Sequence, residues 1–350
     1  MTKFTTMKDI AGRLGCSVPT VSSALSDRYG RVGISEAVRR KIKETAAEMG
    51  YHKNEIVRSL ISGRTKKLAF IYKDEGWREY TSRYLFGFMR GAEEAGYYVR
   101  VFHLPAGEGM KNALRKMAEE RIEGLCIRNV EKSDIGLIRD FFGGGRFPWT
   151  GIDTVLQDEP GLYFKDDDYS GIYQALSYLR GLGHIRIGHF YLGIKHTDER
   201  REAFRRAAAK LGLSNHPQDN IPVIGTYAEN AARIRAFFDN NRMSLPSAFF
   251  CGSDYTAVML IQEAYRRGLS VPGDLSVIGY ADMDSARAVM PLTTVRQPFE
   301  KIGAAAARAI IEEIESEGGT APDHPVVKRM KTTLIIRETT GPASAARETP

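Results

Sequence analysis

The sequence predicts an α/β protein, with a small all-helical segment at the N-terminus and a two-lobed, doubly wound core after it. Three observations carry this. From Lys67 onward, short apolar runs alternate with helical stretches of about 10 to 15 residues, the rhythm of parallel sheets with helices on both faces. The rhythm comes in two successive series, one for each lobe. The first 66 residues lack it and hold the whole excess of positive charge: 13 Lys/Arg against 6 Asp/Glu, while the rest of the 350-residue chain carries 37 of each. Charge concentrated on so short a segment is the footprint of a polyanion-binding surface.

Within residues 1–50 three helices are expected. Met7, Ile10, Ala11 and Leu14 form the i, i+3, i+4, i+7 stripe of an amphipathic helix, which Gly15 stops. Ser17 caps a second helix over about Val18 to Leu25, with Val21, Ala24 and Leu25 inward and Pro19 in the first turn, where a missing N–H does no harm. After the loop DRYGRVG, Ser35 caps a third, with Ile42, Ala46 and Met49 on one face. Residues 51–66 read as a linker with a short helical centre at about Glu55 to Ile61, too short to be stable alone.

In the core, KLAFIYKD, YYVRVFHLP, GLCIRNV and FPWTGIDTV are the strands of the first series, and HIRIGHFYLG, PVIGTY, SAFFCGSD and LSVIGYAD those of the second. Ligands of open parallel sheets sit beyond the carboxyl ends of the strands, so two lobes can share one cleft. Cys16, Cys126 and Cys251 show no metal-ligand spacing, and nothing calls for a metal or a cofactor. No signal-type apolar segment and no run of about 18 apolar residues occurs, so a cytoplasmic protein without a membrane span is expected.

The segment TMKDIAGRLGCSVPTVSSAL has helix-turn-helix spacing. After it come, in order, MGYHKN, LGHIRIGHF, RREAF, SDYTAV, GLSVPGDLSVIGYAD, PLTTVRQP and LIIRETT. In these motifs the chain resembles the lactose-repressor and purine-repressor family of bacterial transcription regulators, from Thr6 to Thr340. The resemblance implies a helix-turn-helix headpiece (1–50), a hinge-helix linker (51–66), and a core (67–340) like the periplasmic sugar-binding proteins, ahead of a disordered tail (341–350). Lobe 1 is then about 67–160 and 291–325, and lobe 2 about 161–290 and 326–340, with chain passages near 156–165, 290–292 and 322–328. It also implies a homodimer on a near-palindromic operator in double-stranded DNA, two-fold protein on two-fold site.

Carried over by position, Val18, Pro19, Ser22 and Ser23 face bases, and Thr6, Ser17 and Thr20 reach phosphates. Many relatives have Arg where Ser23 stands; without its guanidinium fork on guanine, direct readout is expected to be weaker, with Arg28, Arg31 or Arg58 supplying charge nearby. Leu60 occupies the position of the minor-groove wedge, next to Val57, where relatives commonly have Ala. In the cleft, Arg200 matches an effector-contacting arginine. Asp254 matches a cleft position or caps the helix after it. Tyr72, Asp74, Trp77 and Tyr80 either stack on a ligand or pack the lobe. Where relatives commonly carry two acidic or amide residues after GY, this chain has Ala281-Asp282. Either a neighbour such as Asp282, Asp254 or Asp153 holds the ligand hydroxyls, or the ligand is not a typical sugar.

The function implied is a repressor of a catabolic operon, released from DNA by a small sugar-like effector between the lobes; the alternative is a purine-type regulator recruited by a non-sugar co-repressor. A solute-binding protein without DNA function leaves the basic headpiece unexplained. An enzyme on this architecture needs a nucleophile with its base, or a phosphate loop, and His184 and His189 in GHIRIGH have neither beside them.

Overall fold

Thr6 opens helix α1 (Met7–Leu14) with a capping box: its backbone N–H and its hydroxyl both donate to the Asp9 carboxylate, and the Asp9 N–H donates back. Gly15, at φ +62°, ends the helix in the left-handed region that glycine enters without strain. Helices α2 (Val18–Leu25) and α3 (Glu36–Glu48) complete the bundle around Ile10, Ala11, Val21, Ala24, Ile42 and Ala46. Ser17 Oγ accepts the Thr20 N–H and Ser35 Oγ the Val38 N–H, the caps expected from the sequence. This computed structural model describes residues 5–25, 34–52, 63–73, 79–104, 109–143, 147–193, 198–241, 244–316 and 322–343. The chain divides into two compact units, 1–65 and 66–350.

The larger unit holds two six-stranded sheets. Its first series runs β1 (Lys67–Lys73), α4 (Glu79–Glu94), β2 (Tyr98–Leu104), α5 (Met110–Glu119), β3 (Gly124–Arg128), α6 (Lys132–Phe141), β4 (Trp149–Ile152) and β5 (Gly161–Asp167). With β11 (Pro325–Lys331) these make an all-parallel sheet in the order β11-β5-β4-β3-β1-β2. The second series runs α7 (Asp168–Gly181), β6 (Ile187–Leu192), α8 (Asp198–Leu211), β7 (Asn220–Val223), α9 (Tyr227–Asn240), β8 (Ala248–Cys251), α10 (Asp254–Arg266), β9 (Ser276–Ala281), α11 (Asp284–Val289) and β10 (Thr293–Arg296). Its sheet order is β12-β10-β9-β8-β6-β7, with β12 (Thr333–Ile335) antiparallel to β10 and the rest parallel. Every residue of β3, β8 and β9 is buried, which is why these strands run apolar along both faces rather than alternating, with Arg128 and Ser276 as polar ends. Helix α12 (Phe299–Glu315) returns to the first lobe and crosses α4 at backbone contact. A Cβ at Gly303 would run into the Tyr84 carbonyl oxygen, and one at Gly87 into that of Glu300.

Sheet membership corrects the expected lobe boundaries. Strand β5, expected to open lobe 2, pairs in the first sheet; β10, assigned to lobe 1, pairs in the second; and β11, placed mostly in lobe 2, pairs in the first. The passages therefore lie at 167/168, at 297–298 and at 332, each later than expected. The turn-rich DEPG at 158–161 and the Met290-Pro291 break mark loops inside a lobe, whereas the first true passage runs from strand straight into helix. The passages pack on one another: Thr332 Oγ1 donates to the Asp167 carbonyl at 2.8 Å, and Gly171 in α7 leaves no room for a Cβ beside Thr332 and Val295. The tail expected to be disordered from 341 is held as far as Ala343. The Gly341 N–H donates to Ser276 Oγ and the Ala343 N–H to the Leu182 carbonyl.

Candidate functional site

Where the carboxyl ends of the two sheets face each other, a polar cleft opens between the lobes. The first lobe contributes Tyr80 and Tyr84 from α4, Arg128 from the end of β3, Asp153 after β4, Lys165 and Asp166 from β5, and Phe299 from α12. Across from them stand Asp168 at the start of α7, Leu192 at the end of β6 and Arg200 in α8, with Gln297 in the second passage. The described residues leave a cavity of about 90 Å³, room for roughly three water molecules. A ligand of sugar size therefore enters only as the lobes part or these side chains turn.

The charges inside are paired. Arg128 Nε donates to Asp153 at 2.9 Å, its guanidinium lies 4.7 Å over the Tyr80 ring, and the Tyr84 hydroxyl donates to the other Asp153 oxygen. Asp153 sits at φ +70° to make this turn. Arg200 Nε donates to Asp168 at 2.8 Å, its Nη1 to the Gly252 carbonyl, and its guanidinium stacks 4.0 Å over Tyr280. Lys165 Nζ is 3.0 Å from Glu199, which Arg329 also engages at 3.1 Å. Asp166 receives Gln297 Nε2 at 2.8 Å and lies 2.9 Å from the Tyr280 hydroxyl. Burial and the neighbouring Asp168 push the Asp166 carboxyl up to about 7. Burial acts on Asp168 in the same direction, but Arg200 and Lys165 outweigh it and hold that carboxyl below its ordinary range.

In the small unit, α2 presents Val18, 41% exposed, with Pro19 and Ser17, beside the half-buried Thr20, Ser22 and Ser23. A short apolar helix offering hydroxyls at its N-terminal turn, on a bundle whose stretch of chain carries the surplus charge, has the form of a groove-reading element.

Residues 6–54 match the profile of "Bacterial regulatory proteins, lacI family", and residues 176–340 that of the "Periplasmic binding protein-like domain". The ribose operon repressor of Escherichia coli (strain K12) is 30% identical over 324 residues, covering 88% of this chain and 93% of that protein. The chain belongs to the lacI family of bacterial regulatory proteins. The repressor PurR of Vibrio cholerae serotype O1 (strain M66-2) is 26% identical over 324 residues, covering 89% of this chain and 92% of that protein. The crystal structure of the lac repressor dimer bound to operator and the anti-inducer ONPF shares the fold, with a TM-score of 0.77 at 19% identity, covering 97% of this chain and 100% of that one. Members of the lacI family are DNA-binding transcription repressors that respond to small molecules, and are not enzymes.

Within this lacI-family fold the positions singled out from sequence scatter. Arg200, Tyr80 and Asp153 come together in the cleft. Tyr72 stacks on His103 of the adjacent strand, centroids 4.8 Å apart, and does not line the cavity. Asp254 is not among the residues lining the cavity: it is 1% exposed and accepts the Met283 N–H at 2.7 Å and the Thr294 hydroxyl. It fits there because Gly279 beneath it has no Cβ. Ser253, not Asp254, caps α10. Asp282 does not line it either: both of its carboxylate oxygens accept from arginines, Arg296 and Arg337, each at 2.6 Å. Asp74, Trp77, Val57, Leu60, Arg28, Arg31 and Arg58 lie outside the described residues.

Sequence reasoning missed Tyr84, Arg128, Lys165, Asp166, Asp168 and Gln297. The signal was present in YFKDDD, a charged run at the carboxyl end of an apolar strand, which is where ligands of parallel sheets bind. Neither histidine of GHIRIGH reaches the cleft. His184 bonds Ser247, Ser276 and the Gly341 carbonyl, and His189 stacks 3.9 Å from the Phe204 ring.

Proposed function

We propose that this repressor controls a catabolic operon from the cytoplasm, binds its near-palindromic operator as a homodimer, and is released when a small, uncharged, hydroxyl-rich effector occupies the cleft. The cleft's charge balance carries the effector class. Arg128 is matched by Asp153, Arg200 by Asp168 and Lys165 by Glu199. A charged ligand brings an uncompensated charge into a buried site, whereas hydroxyls exchange donors and acceptors with these pairs at constant charge. Ala281 offers no side-chain acceptor, and Asp254 and Asp282 do not line the cavity, so Asp153 and Asp166, which do, are the carboxylates that exchange their present partners, Arg128, Tyr84 and Gln297, for ligand hydroxyls. A ring flanked by Tyr80 and Phe299 has apolar faces to rest on. The name of the ribose operon repressor agrees with a sugar-type effector.

On the DNA side, Val18, Pro19, Ser22 and Ser23 are the base-facing set and Ser17 with Thr20 the phosphate-facing pair. Their hydroxyls lie 2.8 Å apart, so one proton serves that contact and the other is available to a phosphate. Thr6 gives both of its donors to Asp9, so it reaches a phosphate only by opening the capping box. Val57 and Leu60 are the proposed minor-groove pair. Effector binding shifts the balance between lobe arrangements and with it operator affinity, by a coupling of about 1 to 3 kcal/mol.

Two measurements test this. Affinity for random duplex DNA should fall steeply with salt concentration; a salt-independent affinity sinks the DNA reading. In a thermal-shift screen of sugars, nucleobases and organic acids, a neutral polyhydroxy compound should raise the melting temperature and weaken operator binding. Stabilisation by acids or nucleobases alone refutes the effector class.

A further inference from the structure

The Tyr280 hydroxyl lies 2.9 Å from Asp166 Oδ2 and 2.7 Å from Asp168 Oδ1. A phenol has one proton to donate, so it satisfies one carboxylate and turns a lone pair toward the other. Arg200 stands closer to Asp168 (2.8 Å) than to Asp166 (3.9 Å), so Asp168 is the ionised partner and receives the phenol proton. The 2.9 Å contact on the other side is then attractive only if Asp166 itself carries a proton and donates it to the Tyr280 oxygen. Asp166 lies in β5 of the first sheet and Tyr280 in β9 of the second, so this proton joins the lobes.

We propose that Asp166, Tyr280 and Asp168 share one added proton across the cleft, and that this proton makes closure of the lobes, and hence effector retention, dependent on pH. The coupling to effector rests on the cleft reading above; the shared proton does not. Its surroundings hold it near neutrality. Facing Asp166 are Asp168 from α7, Asp153 after β4 and the phenols of Tyr84 and Tyr280; on the cationic side stand Arg200 from α8 and Lys165 on its own strand. Gln297 donates its amide to the same Oδ2. When Asp166 ionises, three carboxylates, Asp153, Asp166 and Asp168, face one cavity with Arg128, Arg200 and Lys165 already matched, and the 2.9 Å contact to Tyr280 becomes a meeting of lone pairs. Closure weakens.

The test uses the full-length protein and its D166N and Y280F variants, with no effector added. The wild-type-minus-D166N infrared difference should show a carboxylic-acid carbonyl component at about pH 6 that is gone at about pH 8.5. Asp254, whose burial pushes its carboxyl up to about 6, stays in both proteins and cancels in the difference between them. Hydrogen exchange, corrected for intrinsic chemistry, should show the segments around Asp166 and Tyr280 losing about tenfold in protection between those pH values in wild type, and no such loss in D166N. Y280F, which keeps both acids and removes the relay, should move the acid band to a different pH. A band that titrates alike in wild type and D166N, or equal pH-dependent loss of protection in both, overturns the proposal. If the proton is found and no small molecule binds, the effector reading fails while the shared proton stands.

Discussion

Replacing Asp254 by alanine separates a brace from a binding residue. In the folded protein its two oxygens accept the Met283 N–H and the Thr294 hydroxyl, at a site where Asp254 is 1% and Met283 2% exposed. Truncation strands both donors out of reach of water, each costing about 1 to 3 kcal/mol, so the expected loss is roughly 2 to 6 kcal/mol. For a unit of this size, that is a fall in melting temperature of about 3 to 10 °C. The pH dependence adds a second signature. Burial raises the Asp254 carboxyl to about 6, so the folded chain holds a proton there that the unfolded chain gives up near 4. Stability from such a group is fully present below the unfolded value and lost as pH rises through the folded one. The gap between wild type and Asp254→Ala should therefore widen as pH falls from about 6 to 4. Thermal denaturation across that range, with Asp254→Asn as the non-titrating variant that keeps one acceptor, reads both effects. Unchanged melting in the alanine variant, together with lost effector response, would return Asp254 to the cleft and refute the bracing argument.

Other outcomes follow from the same geometry. Burial lowers His189 to about 3, so wild type should lose about 1.4 kcal/mol per pH unit below about 6.5 on its account; His189→Phe, which keeps the stack on Phe204, should flatten that acid limb in denaturant titrations. Gly303→Ala drives a methyl into the Tyr84 backbone and should destabilise by about 3 kcal/mol or more, since helix must move from helix; melting at the wild-type temperature would show that the two helices are not in backbone contact. Ser23→Arg should sharpen guanine preference at one position of each half-site in a binding-site selection, and an unchanged preference would remove Ser23 from the base-facing set.

The headpiece was almost fully legible because its signals are local. Stripe, cap and stop glycine all lie within a few residues of the helix they define, and Thr6, Ser17 and Ser35 cap as their types predict. The core's strands announced themselves by apolarity, but apolarity does not say which sheet a strand joins; only the pairing of β5 with β4, of β10 with β9 and β12, and of β11 with the distant β5 assigns these three to their lobes. The cleft was legible only in part for the same reason. Arg200 stood out through its motif, whereas Asp166 becomes a site residue only when Tyr280, more than a hundred positions downstream, closes over it. In sequence a buried brace such as Asp254 and a ligand-binding carboxylate look alike until the glycine beneath it is seen.

The first two passages between the lobes run through residues that also line the cleft, Asp166 and Asp168 in one and Gln297 in the other. The pivot and the grip are thus the same few residues, and a bound molecule pulls at the fulcrum rather than at the end of a beam. A small torsion there is amplified along a lobe whose helix α4 alone spans about 24 Å. Substitutions at these positions should consequently shift how tightly a ligand is held and how strongly the protein responds to it together, and variants that alter response alone should be sought on surfaces away from the passages.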